Sequence, residues 1–173
     1  PTHAIGPIAQ LLGFHRGDRM VRLPSVTGMA AGRDSLLGHA NHTLITTERG
    51  VTILLQFDGT TPRPYSRLQG ISGTKAFAQK YPLPLFQDAD GLREGEAAEN
   101  FLHSVADSSA YRLWREGAAR GVPNAMNYAM DCRLIHCLRH GLPLDIDVYD
   151  AAEWSCLAEL TRLSAQRGGE PVE

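Results

Sequence analysis

The spacing of apolar and polar positions divides the chain into a β-rich first half and a helical second half. Residues 7–12 predict a short helix, with Pro7 suited to its first position and Gly13 to its stop. Residues 20–26 are rich in β-formers but contain Pro24, which predicts a weak strand at a sheet edge. The glycine-rich stretch 28–38 predicts a loop. The strongest β signal follows: runs 42–47 and 51–57, joined through Glu48, Arg49 and Gly50 as a tight hairpin in which glycine supplies positive φ. Asp58, Gly59, Pro62 and Pro64 then break the ladder, because proline has no N–H to donate. Residues 65–71 predict a third strand and 75–79 a fourth. Connections this short imply an antiparallel meander, since a parallel pair needs a crossover of a dozen or more residues.

Residues 87–100 are acidic and punctuated by glycine, which predicts a solvated loop leading into helix. Beyond about residue 100 the texture is helical. Asn124 can cap a helix running to about Arg139 with Gly141 past its end, and Leu142, Pro143 and Leu144 make a short link. Asp145 or Asp147 can cap a last helix from Val148 to about Gln166, with Gly168 after it. Val148, Ala152, Cys156 and Leu160, flanked by Leu157 and Leu163, form its expected core-facing stripe. Strands first and helices afterwards predict an α+β fold: an open, mainly antiparallel β-sheet with helices packed on one face, spanning 1–173 as one domain. The opposite face of such a sheet is available to a partner.

Composition removes several classes of function. A net charge of −2 and a pI near 6.4 give no electrostatic drive toward nucleic acid or an anionic membrane surface. No apolar run approaches the ~20 residues of a spanning helix. Cys132, Cys137 and Cys156 lie in helical segments without CxxC spacing, which predicts reduced, buried thiols and no metal site. HExxH, GxSxG, phosphate-loop and GxGxxG patterns are absent, as is any βαβ alternation, so no dinucleotide fold is expected within these residues. Pro1 is not a natural start, so any leader or upstream domain lies outside the sequence. A cytoplasmic protein is expected, with export to the periplasm as the alternative.

Three places carry candidate chemistry. His3, beside Pro1 and Thr2 and just before a helix, has the residue type for proton transfer near neutral pH, against the plainer reading of a surface histidine. Arg63, Tyr65 and Arg67 stand at a strand entrance stiffened by Pro62 and Pro64. Polar groups on a stiff backbone suit sugar hydroxyls, with the tyrosine ring available for stacking; the plainer reading is solvated arginines. Asp145, Asp147, Asp150 and Glu153 could serve as paired carboxylates, but carboxylates here are better explained as helix caps stabilised by the helix dipole. Met126, Met130, Trp114 and Trp154 read as core or helix-packing residues.

Taken in order, these segments resemble one family. Residues 1–7 are similar to the Tyr-Pro-Thr-His-Gly-x-Gly-Pro element of glycoside hydrolase family 109, within the Gfo/Idh/MocA type. Residues 55–58, 61–67 and 73–75 resemble its Gln-His-Asp, Ser-Pro-Arg-Pro-Tyr-Ser-Arg and Gly-Thr-Lys stretches, and 130–139 and 141–155 its closing helices. The resemblance implies the C-terminal, substrate-side domain of an NAD-dependent sugar enzyme, with a Rossmann domain N-terminal to it that holds most of the NAD. The implied mechanism is transient oxidation of a hexose derivative at C3, elimination of the aglycone, addition of water and re-reduction.

Carried onto this chain, Pro1, Thr2 and His3 border the NAD and the reacting sugar, with His3 as the proton-handling residue. Tyr65 contacts the substrate, supported by Arg63 and Arg67. Homo-oligomerisation through the open sheet face is expected, and no turnover from these residues alone. The alternatives are a sugar or polyol dehydrogenase domain, or a non-catalytic sugar-binding or dimerisation module. One departure stands out. The family's Gly-His-Gly-Gly-Met-Asp stretch reads Val122, Pro123, Asn124, Ala125, Met126, Asn127 here, so a histidine and an aspartate have lost their ionisable groups.

Overall fold

The hairpin expected over 42–57 is the centre of the first sheet. The computed structural model describes residues 2–28, 40–59, 61–62, 64–105 and 109–173; Pro1, Arg63 and nearly all of the loop expected over 28–38 fall outside them. Helix α1 (Thr2–Leu12) opens the chain, followed by β1 (Met20–Arg22), β2 (Ser25–Gly28), β3 (Ala40–Thr47) and β4 (Thr52–Asp58). β3 pairs with β4 on one edge, Leu44 opposite Leu54, and on the other with β1 and β2 in turn, all antiparallel. β1 and β2 are in effect one edge strand broken at Leu23 and Pro24, as the proline predicts. The Leu23 amide turns instead to the Val172 carbonyl at 3.0 Å, so the end of the chain closes against this strand.

The chain divides into two compact units, Pro1–Pro64 with Ile146–Glu173, and Tyr65–Asp145. In the first, α5 (Val148–Gln166) packs on α1 and β2. Ile5, Ala9, Phe14, Leu23, Ile45, Trp154 and Leu157 form its apolar core. α1 starts well before the expected residue 7 and holds Pro7 in its interior. The missing Pro7 N–H costs one helical hydrogen bond, but burial of Ile5, Gly6 and Ala9 overrides local propensity. Gly6 is needed there: a Cβ would sit 3.0 Å from Cζ3 of Trp154.

The core-facing side of this sheet is unusually polar. Asn41, Thr43 and Thr47 are buried on β3 beside Ile45. The Ser25 amide donates to Ser164 Oγ at 2.7 Å, Asn41 Nδ2 and the Thr43 hydroxyl donate to Ser25 Oγ at 2.9 Å, and the Ser164 hydroxyl donates to the Glu170 carbonyl at 2.6 Å. This network explains a correction to the sequence reading. The buried positions of α5 are Asp150, Trp154, Leu157, Thr161 and Ser164, whereas Val148, Ala152 and Cys156 are exposed. Leu157 is buried as expected and Leu160 packs against the core, but hydrogen-bonded polar side chains share the face that apolar ones were expected to fill.

In the second unit, β5 (Gly70–Ser72), β6 (Phe77–Gln79), β7 (Leu85–Asp88) and β8 (Gly91–Glu94) form an antiparallel meander in sequence order. The strand expected over 65–71 is limited to 70–72, because Leu68 and Gln69 both take left-handed backbone (φ 54 and 51), which no ladder accepts. The loop expected over 87–100 is corrected more sharply: β7 and β8 form a hairpin turning at Gly91 (φ 120), and α2 (Gly95–Val105) follows at once. The acidic charge that suggested a loop is absorbed by Arg93, which pairs with Asp88 at 3.0 Å and lies over the Phe101 ring at 4.3 Å.

Helices α3 (Ser109–Ala119) and α4 (Ala125–His140) complete the unit. α4 has the expected caps: Asn124 accepts from the Met126 and Asn127 amides, and Gly141 (φ 63) returns its N–H to the Cys137 carbonyl. The antiparallel α+β architecture is as expected. It is built from two sheets rather than one; α1 precedes and α5 follows the strands of the first unit, and α2 to α4 follow those of the second. All three cysteines are free thiols, but of these Cys137 is buried and Cys156 is exposed. Trp154 is a core residue, whereas Trp114, Met126 and Met130 are exposed.

Candidate functional site

Thr2 and His3 occupy the first turn of α1, both exposed, while the next turn is anchored by buried Ile5 and Gly6. A helix start offers unpaired amides and the positive end of the helix dipole, so a polar pair fixed there suits an electron-rich group. Pro1, assigned with them by resemblance, lies outside the described residues.

Each of the four carboxylates weighed above has a structural partner. Asp147 is the N-cap of α5, accepting from the Asp150 and Tyr149 amides at 3.0 and 2.8 Å, which hold its carboxyl below the usual range. Asp150 completes the capping box through the Asp147 amide at 3.0 Å and faces Arg16 at 3.4 Å. Glu153 pairs with His15 at 2.6 Å. Asp145 is held by two bonds from Arg133, at 2.9 and 2.6 Å, which push its carboxyl down. Their arrangement is that of caps and ion pairs, as the helix-dipole argument anticipates.

Tyr65 and Arg67 stand together at the start of the second unit. Tyr65 is 73% exposed, the Arg67 guanidinium lies 5.7 Å from its ring centroid, and Arg67 Nε donates to the tyrosine hydroxyl. Arg63, the third member of the predicted set, lies outside the described residues. Two residues not singled out from the sequence join the pair. Tyr81 meets Tyr65 edge-on at 6.5 Å, and Lys80 Nζ lies 5.8 Å from the Tyr81 ring centroid. The one sequence signal for them was a lysine beside an aromatic residue, too common to single out.

Two open grooves lie elsewhere in this unit. One, of about 540 Å³, runs between α3 and α4 past Arg112, Glu116, Cys132, Arg133 and His136. Its charged groups already have partners, Arg133 on Asp145 and Glu116 on Arg120 and Tyr128. The other, of about 720 Å³, passes Gly73, Thr74 and Lys75, the stretch quoted for its family resemblance. Among the described residues no group of three or more His, Cys, Asp or Glu side chains could hold a metal ion.

A dinucleotide has no cradle in the described residues. All strands of the two sheets pair antiparallel, and the passage from β8 into α2 carries Gly95 alone where a pyrophosphate would need a glycine-rich turn after a parallel strand.

The fold is shared with part of two dehydrogenase chains of known structure. A UDP-N-acetylglucosamine 3-dehydrogenase from Acidithiobacillus ferrooxidans superposes with a TM-score of 0.62 at 11% identity, over 94% of this chain and 46% of that one. An inositol dehydrogenase homolog from Azotobacter vinelandii, complexed with NADH and myo-inositol, superposes with a TM-score of 0.54 at 17% identity, over 90% of this chain and 44% of its own. At such identities the likeness is one of fold.

Sequence narrows the placement: the chain belongs to the glycosyl hydrolase 109 C-terminal domain family, whose model matches residues 1–173. An alpha-N-acetylgalactosaminidase from Bacteroides fragilis is 48% identical over 193 residues, covering all of this chain and 45% of the relative. A glycosyl hydrolase family 109 protein from Bacteroides thetaiotaomicron is 37% identical over 202 residues, covering 99% of this chain and 43% of its own length. The chain thus spans less than half the length of these curated relatives.

Proposed function

We propose that the full-length protein is an NAD-dependent glycosidase acting on a hexose derivative by transient oxidation at C3, and that this chain is its substrate-side domain. The observation that carries this reading is the 48% identity to an alpha-N-acetylgalactosaminidase across the whole chain. A Rossmann domain N-terminal to this chain would hold the NAD, whose chemistry when bound would be reversible hydride exchange with the sugar.

The chain's own residues position the sugar and handle protons. His3, in the exposed first turn of α1 just ahead of buried Ile5 and Gly6, takes or returns a proton at an imidazole nitrogen. Thr2 offers a hydroxyl beside it. Tyr65 presents an aromatic face to the pyranose, and Arg67, with Arg63, donates to sugar hydroxyls. The outward face of the first sheet, where Val26, Leu44 and Leu54 are 57, 44 and 62% exposed, is the surface for a self-complementary homo-oligomer.

Release of the aglycone from a nitrophenyl N-acetylhexosaminide by the full-length protein tests the reaction. Tyr65→Leu and His3→Ala should lower kcat/KM without lowering thermal stability; unchanged values would remove these residues from the site. Residues 1–173 alone should show no micromolar NAD binding by calorimetry, and such binding would overturn the division of labour.

A sugar or polyol dehydrogenase is the second reading. It is favoured by Pro123 and Asn127 standing where the family has ionisable residues. It predicts NADH accumulation from a free sugar without release of an aglycone. A non-catalytic module would give neither signal.

A further inference from the structure

The segment 65–69 is built in a way that an idle loop does not require. Leu68 and Gln69 are consecutive non-glycine residues in left-handed backbone. Each costs roughly 1–2 kcal/mol, and such strain persists only where surrounding contacts impose it. The contacts are present: the Leu68 amide donates to Ser66 Oγ at 3.1 Å, and the Tyr81 amide donates to the Leu68 carbonyl at 3.1 Å. They hold Tyr65 and Tyr81 edge to face with their rings 6.5 Å apart. Each ring carries its own cation, Arg67 at 5.7 Å and Lys80 at 5.8 Å. Arg67 spends Nε on the Tyr65 hydroxyl, and no carboxylate among the described residues pairs with Arg67 or Lys80. The two cations are therefore held in place by aromatic rings and left uncompensated in charge.

We infer that Tyr65, Arg67, Lys80 and Tyr81 form one subsite for a carbohydrate bearing an oxyanion, a carboxylate or a sulfate ester. The rings take the apolar face of the pyranose, and the guanidinium or ammonium takes the anionic substituent. A neutral sugar uses the rings and hydrogen bonds from Arg67, whereas an anionic substituent also neutralises the charge that the two cations leave uncompensated. The inference rests on the proposed sugar-processing function only in taking a carbohydrate as the ligand, and it adds Lys80 and Tyr81 as specificity-determining residues.

The test is calorimetry on the full-length protein with galactose, galacturonic acid and galactose 6-sulfate at low and high salt. At least one anionic sugar should bind about tenfold tighter than galactose, the worth of one charge-assisted hydrogen bond, with the advantage shrinking as salt rises. The carboxylate and sulfate arms decide which oxyanion is preferred. Lys80→Gln should erode that advantage while leaving galactose binding within about twofold, whereas Arg67→Gln should erode the advantage and weaken galactose as well. Tyr81→Leu should weaken all three sugars, and Tyr81→Phe should restore them. Equal affinity for neutral and anionic sugars, or an advantage untouched by both Lys80→Gln and Arg67→Gln, overturns the subsite. Aglycone release and NADH formation are read separately, so failure of the subsite and failure of the proposed reaction are distinguishable.

Discussion

Replacing Ser164 with alanine should cost the first unit about 2–3 kcal/mol, more than the loss of one hydroxyl usually does. Ser164 is fully buried and its oxygen accepts from the Ser25 amide at 2.7 Å, in a strand residue that is itself buried. In Ser164→Ala that N–H has no replacement partner and no route to water, and a buried unsatisfied donor costs about 1–3 kcal/mol. The second bond, to the exposed Glu170, is cheaper to lose because water can satisfy that carbonyl. Alanine's better helix propensity returns roughly half a kcal/mol. Exposed Ser155 on the same helix supplies the control, Ser155→Ala, which should change stability by less than about 0.5 kcal/mol.

The assay is urea unfolding followed by tryptophan fluorescence in a Trp114→Phe background. There the signal comes from Trp154, in the core of the same unit. If Ser164→Ala falls no further than Ser155→Ala, the polar network does not hold α5 to the sheet and the reasoning is wrong.

Leu157→Ala removes a fully buried side chain from the apolar core and should cost about 2–5 kcal/mol in the same unfolding assay. Asn124→Ala removes the cap of α4 and should lower stability by about 1 kcal/mol, with the loss reported by helical circular dichroism. Acid should destabilise the fold. At buried Asp18, burial pushes the carboxyl up, but the Thr47 hydroxyl and the Arg49 and Arg19 amides outweigh it and hold it low. Asp145 and Asp147 are lowered by their own partners. Carboxylates depressed in the folded state contribute stability above their unfolded pKa and lose it as pH falls through the folded value. The melting temperature should therefore be flat near neutrality and drop below about pH 4; a drop already at pH 6 would contradict this. Leu54→Glu places a charge on the outward sheet face and should shift the full-length protein toward monomer in sedimentation; an unchanged mass would locate the interface elsewhere.

The elements most legible in the sequence were those with explicit punctuation. Asn124 with Gly141 bounded α4, Asp147 opened α5, Gly50 turned the central hairpin, and Pro24 broke the edge strand. Elements set by non-local packing were not legible. Burial of Ile5, Gly6 and Ala9 keeps Pro7 inside α1, and Val148, Ala152 and Cys156 of the stripe expected on α5 are exposed because part of its buried face is polar, with Ser164 bonded to the distant strand residue Ser25. The β7–β8 hairpin was hidden because charge was read without its partner Arg93. At the candidate site, Tyr65 and Arg67 were legible because they are two residues apart. Tyr81 and Lys80 reach them through the β5–β6 meander, a pairing no local pattern announces.

The Leu23–Val172 bridge has a kinetic consequence. The first unit is made from segments separated by the whole of 65–145, and the second unit is continuous. As the chain leaves the ribosome, 65–145 is complete before 146–173 exists, while α1 and the first sheet wait for α5 with their polar inner face uncovered. The second unit should therefore gain protease resistance first in a series of stalled nascent chains, with protection of residues 1–64 delayed until 146–173 has emerged.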